Sequence, residues 1–232
     1  MAKEIEAIFY DLGGTLRHVQ KDAAFQEQAK RRIAELCGTT EDPDAFIEFL
    51  NYRYEGYRKW CFDKMREAPE EELWTKWLTP DYPRERILQN ALELTVEYRN
   101  VDGRRIVAKN GRESIRELYD NGYILGIISN LVTSIEIPNW LEEDHLTPYF
   151  KAVLLSCVEG LRKPDPAFQL LACERVGIPP ERCAYIGDNL NRDVEGTRQA
   201  GYGMFVLYTT PEKLEKLLPK INDENRPDAI IF

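Results

Sequence analysis

A few polar side chains in this sequence stand where apolar runs end, and their types suit anion or cation chemistry. Asp11 follows the run Ile5-Glu6-Ala7-Ile8-Phe9-Tyr10 and precedes Leu12-Gly13-Gly14-Thr15-Leu16, which puts a carboxylate at the end of a buried strand, facing a turn. Ser129-Asn130 closes the apolar run 123–128. Lys163 lies in Leu161-Arg162-Lys163-Pro164-Asp165-Pro166, and Asp188 and Asp193 lie in Gly187-Asp188-Asn189-Leu190-Asn191-Arg192-Asp193, directly after Cys183-Ala184-Tyr185-Ile186. Carboxylates can act as nucleophiles or hold a hard cation through oxygen, while a hydroxyl and an ammonium can hold an anion. Each residue also has a plainer reading. Asp11 could be a turn residue, Ser129 and Asp188 could cap helices, and Lys163 could be a solvated loop charge.

The elements around these residues alternate. Apolar runs at 5–10, 123–129, 152–156, 183–187 and 203–208 read as buried strands, with a short last one at 228–232. Helical spacing marks 111–121, which ends at Asn121-Gly122, and 166–176, which starts after prolines and stops at Gly177. The alternation predicts an α/β fold: a Rossmann-like, mainly parallel sheet with helices on both faces and ligand residues at the carboxyl ends of its strands. Between these parts, 22–37, 43–65, 69–78 and 83–98 have helical periodicity and no β-branched runs, which predicts a helical insertion after the first strand.

The order and spacing of the four polar segments resemble the signature of the haloacid dehalogenase-like (HAD) hydrolases over nearly the whole chain. The resemblance implies a helical cap at residues 18–101 on a core of residues 1–17 and 102–232. It implies a Mg²⁺-dependent, phosphatase-type hydrolase acting on a small phosphorylated metabolite through an aspartyl-phosphate at Asp11. In that reading Asp11 is also a metal ligand, with the Gly13 carbonyl, Asp188 and Asp193 completing the Mg²⁺ site. Ser129 and nearby backbone N–H groups hold the phosphoryl oxygens, Lys163 pairs with Asp11 and the transferring group, and Leu12, Gly13 and Asn130 join Ser129 and Lys163 in binding substrate.

One element departs from the family pattern. Phosphatases of the superfamily carry a second Asp two residues after the first, and this chain has Gly13 there. That Asp protonates the leaving oxygen and then activates water, general acid–base work worth roughly 10²–10⁴-fold in rate. Gly13 keeps the metal-binding carbonyl but cannot move a proton, so acyl phosphates, anhydrides and aryl phosphates are the expected substrates. Alternatives are a catalytically weak module that binds a phosphorylated ligand, a phosphonatase-type enzyme using a Schiff-base lysine such as Lys59 or Lys64, and carbon–halogen cleavage, which leaves Asp188 and Asp193 without a purpose. His18 is either a surface hinge residue or a substitute acid. Gly13-Gly14 could equally serve a tight turn.

Composition narrows the partners. Forty acidic against 31 basic side chains give a formal charge of −9, which argues against sequence-independent grip on nucleic acid or an anionic membrane. No uncharged run approaches the roughly 20 residues needed to span a bilayer, and residues 1–5 begin no long apolar leader, so a cytoplasmic protein is expected. Five cysteines without CxxC or Cys/His spacing read as buried thiols in a reduced compartment. Oligomeric state is left open. The aromatics Tyr54, Tyr57, Trp60, Trp74 and Trp77 read as packing within the helical insertion rather than as a substrate pocket.

Overall fold

The computed structural model describes residues 4–232; residues 1–3, the start of the N-terminal segment read above, lie outside it. Strands β1 (Ala7–Tyr10), β4 (Ile124–Ser129), β5 (Phe150–Leu155), β6 (Cys183–Gly187), β7 (Met204–Tyr208) and β8 (Ala229–Ile231) form one sheet in the order β5-β4-β1-β6-β7-β8. Every neighbouring pair is parallel. This is the doubly wound α/β architecture, and all four β1 residues are buried because helices cover both faces.

The period-2 geometry of a strand divides β1 between two cores. Ala7 and Phe9 pack with Phe168, Ala172 and Val194, whereas Ile8 and Tyr10 pack with Ile115, Ile137 and Leu141. The helices supplying these residues are α5 (Gly111–Asp120) and α6 (Glu136–Glu143) on one face, and α8 (Pro166–Val176) and α9 (Arg192–Gln199) on the other. Local signals set the helix ends. Asp165 caps α8 by accepting from the Ala167 N–H at 2.9 Å, Pro166 takes the first helical position, and Gly177 ends the helix at φ 76°.

The insertion contains α1 (Ala23–Cys37), α2 (Pro43–Lys64), the short α3 (Glu70–Glu72) running into a π-helical segment Leu73–Leu78, and α4 (Arg84–Asn100). These helices share a core of their own, built on Ile33, Phe46, Leu50, Tyr57, Trp74, Ile87 and Leu94. Tyr57 and Trp74 are fully buried, and Tyr54, Trp60 and Trp77 pack against the same cluster. The insertion enters and leaves through an antiparallel ribbon of β2 (Arg17–Gln20) and β3 (Arg104–Val107), which the apolar pattern of the sequence does not signal. Among the described residues no helix is long and apolar enough to cross a membrane. All five cysteines are free and buried.

Candidate active site

Sheet order alone brings the polar segments together. β1 lies between β4 and β6, with Tyr10 level with Ile127 on one side and Ile186 on the other. Asp11, Ser129 and Asp188 therefore leave three adjacent strands within one or two residues of the same level, in the crevice where open parallel sheets take ligands.

Lys163 is the hub. Its side chain has no exposed surface, and Nζ lies 3.0 Å from Asp11 Oδ1 and 3.0 Å from Asp193 Oδ1. It also donates to the Tyr185 hydroxyl, which donates in turn to the Ile128 carbonyl at 3.0 Å. The loop holding Lys163 is clamped by Asn130, whose Oδ1 accepts from the Lys163 N–H at 2.9 Å and whose Nδ2 donates to the Lys163 carbonyl at 2.9 Å. The Asn130 amide thus binds the Lys163 backbone while the residue lines the cavity described below.

Arg192, a residue the motif reading did not single out, covers the acidic groups. Its Nη2 donates to Asp11 Oδ2 at 2.7 Å and lies 3.5 Å from Asp188, and its Nε donates to Asp193 Oδ1 at 3.0 Å. The carboxylates respond differently. Burial, followed by the charges of Asp11 and Asp193, pushes the Asp188 carboxyl up to about 6, against a weaker pull from Arg192 and Lys163. Burial would raise Asp193 too, but Lys163 and Arg192 outweigh it and hold that carboxyl below the usual range.

The glycine turn has two distinct positions. Gly14 is left-handed at φ 83°, and a Cβ there would come within 2.1 Å of Asp188 Oδ2, so both backbone and space require glycine. Gly13 is exposed and has no positive φ, and an added Cβ would meet nothing within 4 Å. The tight-turn explanation therefore belongs to Gly14 and does not account for Gly13.

A cavity of about 380 Å³ opens above this cluster. Asp11, Leu12, Gly13, Ser129 and Asn130 line it, together with Arg192 and His18. Lys163 and Asp193 are fully buried and, like the half-buried Asp188, are not part of that lining. His18, in β2 of the connecting ribbon, is half-buried against the Tyr208 ring, 5.9 Å between centroids. Lys59 and Lys64 are exposed and outside the lining.

A family model described as haloacid dehalogenase-like hydrolase matches residues 5–201. The chain belongs to that family. This HAD-like chain is 28% identical over 196 residues to a phosphoserine phosphatase of Thermus thermophilus, covering 74% of this chain and 78% of that protein. It is 28% identical over 117 residues to a glyceraldehyde 3-phosphate phosphatase of Methanopyrus kandleri, where the match spans 50% of this chain and about half of the relative, 48%. A solved 2-haloacid dehalogenase of Pseudomonas syringae pv. Tomato DC3000 shares the HAD fold, with TM-score 0.66 and 21% identity over 98% of this chain and 94% of that one.

The HAD-like donor set is compatible with a hard cation. Carboxylate oxygens of Asp11, Asp188 and Asp193 lie within 4.8 Å of one another, and no thiol or imidazole joins them among the described residues. Arg192 donates to Asp11 Oδ2 and Lys163 lies against Oδ1, so a cation at Asp11 has a side-chain competitor at either oxygen.

Proposed function

We propose that this HAD-like chain is a phosphatase-type hydrolase acting on a small phosphorylated metabolite, with Asp11 as the nucleophile. The observation that carries the reading is one cluster beneath one cavity: Asp11 at the floor, held by Lys163 from behind and flanked by the Ser129 strand end. Lys163 orients the Asp11 carboxylate through Oδ1 and lessens its repulsion with Asp193. The other Asp11 oxygen attacks phosphorus as the bond to the leaving-group oxygen breaks, giving an aspartyl-phosphate that water then hydrolyses, and the Ser129 hydroxyl and neighbouring backbone N–H groups donate to the phosphoryl oxygens. Asp11, the Gly13 carbonyl, Asp188 and Asp193 would hold Mg²⁺, which when bound supplies charge neutralisation for the transferring group. Arg192 has to swing from Asp11 before that set is free. In this reading the helices of residues 18–101 act as the cap over a core of residues 1–17 and 102–232.

Gly13 limits the chemistry. No carboxyl stands there to protonate a leaving oxygen, so acyl and aryl phosphates react and alkyl phosphates lag. The test is phosphate release from aryl and sugar phosphates, with and without Mg²⁺, in the wild type and in Asp11→Asn. Metal-dependent release from aryl phosphate that vanishes in Asp11→Asn supports the reading; release that survives the substitution ends it.

One observation favours a second reading, a catalytically weak module that binds a phosphorylated ligand. The Arg192 guanidinium is already bonded to the nucleophilic carboxylate and offers a fixed cation to a phosphoryl group. Saturable stabilisation by phosphate in thermal denaturation, with no phosphate release from any ester, would select it.

A further inference from the structure

The cavity has a second charged wall, assembled from segments far apart in sequence. Arg17 of β2, Arg99 of α4, Arg105 of β3 and Glu136 of α6 all line it beside Asp11. Glu136 is the one buried carboxylate shared by the three guanidinium groups: Arg17 Nη1 reaches it at 2.7 Å, Arg105 Nε lies 3.6 Å away, and Arg99 donates from Nε. Asp102 meets Arg105 at 3.3 Å, but its side chain is 66% exposed and water screens it.

This wall carries more positive charge than its buried carboxylate neutralises. The Arg17 side chain is 10% exposed, and its Nε is buried without a hydrogen-bond partner among the described residues. Burial and the neighbouring charge of Arg99 lower Arg105 to about 10, against the pull of Glu136, and burial also lowers Arg17. Like charges held together out of water, with a free donor, form a receptor for an oxyanion.

We propose that Arg17, Arg99 and Arg105 form a second anion subsite, which recognises an oxyanion, a carboxylate or a second phosphoryl group, on the leaving portion of the substrate. The subsite rests on the phosphatase reading above and narrows it to substrates with two acidic groups. Planar guanidinium forks suit such groups, and the single cavity gives both ends of one small molecule access to Asp11 and to the arginines.

Calorimetric titration of the full chain with non-hydrolysable ligands tests this independently of turnover. The probes are 3-phosphonopropionate, ethane-1,2-bisphosphonate and, as the singly acidic control, propylphosphonate. At least one doubly acidic ligand should bind about tenfold tighter or more than propylphosphonate, as charge-assisted pairs allow. The tighter of the two identifies the preferred oxyanion. Arg105→Gln and, separately, Arg17→Gln should bring the ratio towards one, with Arg105→Lys restoring part of it. Glu136→Gln should raise the ratio, an effect that a purely structural role for these residues does not produce. Equal affinities in the wild type overturn the subsite and leave the phosphatase reading standing. Failure of every phosphonate to bind overturns that reading and the subsite with it.

Discussion

Arg192 and Asp11, 181 residues apart in sequence, are joined by a 2.7 Å hydrogen bond from Nη2 to Oδ2. In the phosphatase proposed above, the guanidinium therefore holds the carboxylate at the oxygen that attacks phosphorus. Both partners are largely withdrawn from water, with side-chain exposures of 30% and 4%, so the bond is not easily replaced by solvent.

Removing the guanidinium should strengthen divalent-cation binding. For Arg192→Gln, Mn²⁺ affinity measured by electron paramagnetic resonance should rise about tenfold or more, because a cationic competitor a few ångströms from the carboxylates is gone. Unchanged affinity would show that Arg192 yields its position at no cost.

The empty space at Gly13 makes that position restorable. In Gly13→Asp the new side chain enters open volume at an ordinary backbone conformation. Hydrolysis of an alkyl phosphate should increase by roughly 10²–10⁴-fold, the worth of general acid–base catalysis. No gain on any alkyl phosphate would mean that another group already moves the proton.

Lys163→Met removes the cation shared by Asp11 and Asp193 and leaves buried carboxylates short of a partner. A stability loss of about 3–5 kcal/mol is expected in denaturant melts, the usual result of breaking a buried pair from one side. A change below about 1 kcal/mol would mean that Arg192 alone carries the neutralisation.

Glu136 gives a pH signature. Burial would raise its carboxyl, but Arg99, Arg105 and Arg17 outweigh burial and hold it below its ordinary 4.5. A depressed carboxyl stabilises the fold above the unfolded value and loses that contribution as pH falls through the folded value. Glu136→Gln should therefore be less stable than wild type near pH 7, by about 1–3 kcal/mol. The difference should shrink as the pH drops below 4.5. A gap that stays constant across this range would show that the charge is not what matters.

The sheet is readable from sequence because its strands are continuous apolar runs, and Ile8, Phe9, Ile127, Ile128 and Tyr185 are buried as such runs require. Helix limits marked by Asp22, Pro166 and Gly177 are equally local. Edges blur where side-chain pattern and backbone part company: Ser156, read as the end of a strand, begins the short helix α7 (Ser156–Glu159). The β2–β3 ribbon is hidden because each strand is four residues of mixed polarity and its partner lies more than 80 positions away. α6 carries Pro138 in its first turn, which hides a helix whose Ile137, Trp140 and Leu141 are buried. The meeting of Asp11, Ser129 and Asp188 follows from strand ends, whereas Arg192 and the arginines around Glu136 depend on how far long side chains reach, which spacing does not encode.

The ribbon's register sets Arg17 opposite Val107 and Gln20 opposite Arg104, so the chain departs for the helical unit and returns from it side by side. About eighty residues are joined to the sheet domain through the two paired strands of one narrow stalk. A module grafted in this way can be lengthened, reshaped or exchanged without re-registering a single strand of the sheet. Arg17 and Arg105 ride on the stalk itself, so a graft that retains the ribbon carries two of its charged determinants into the new molecule.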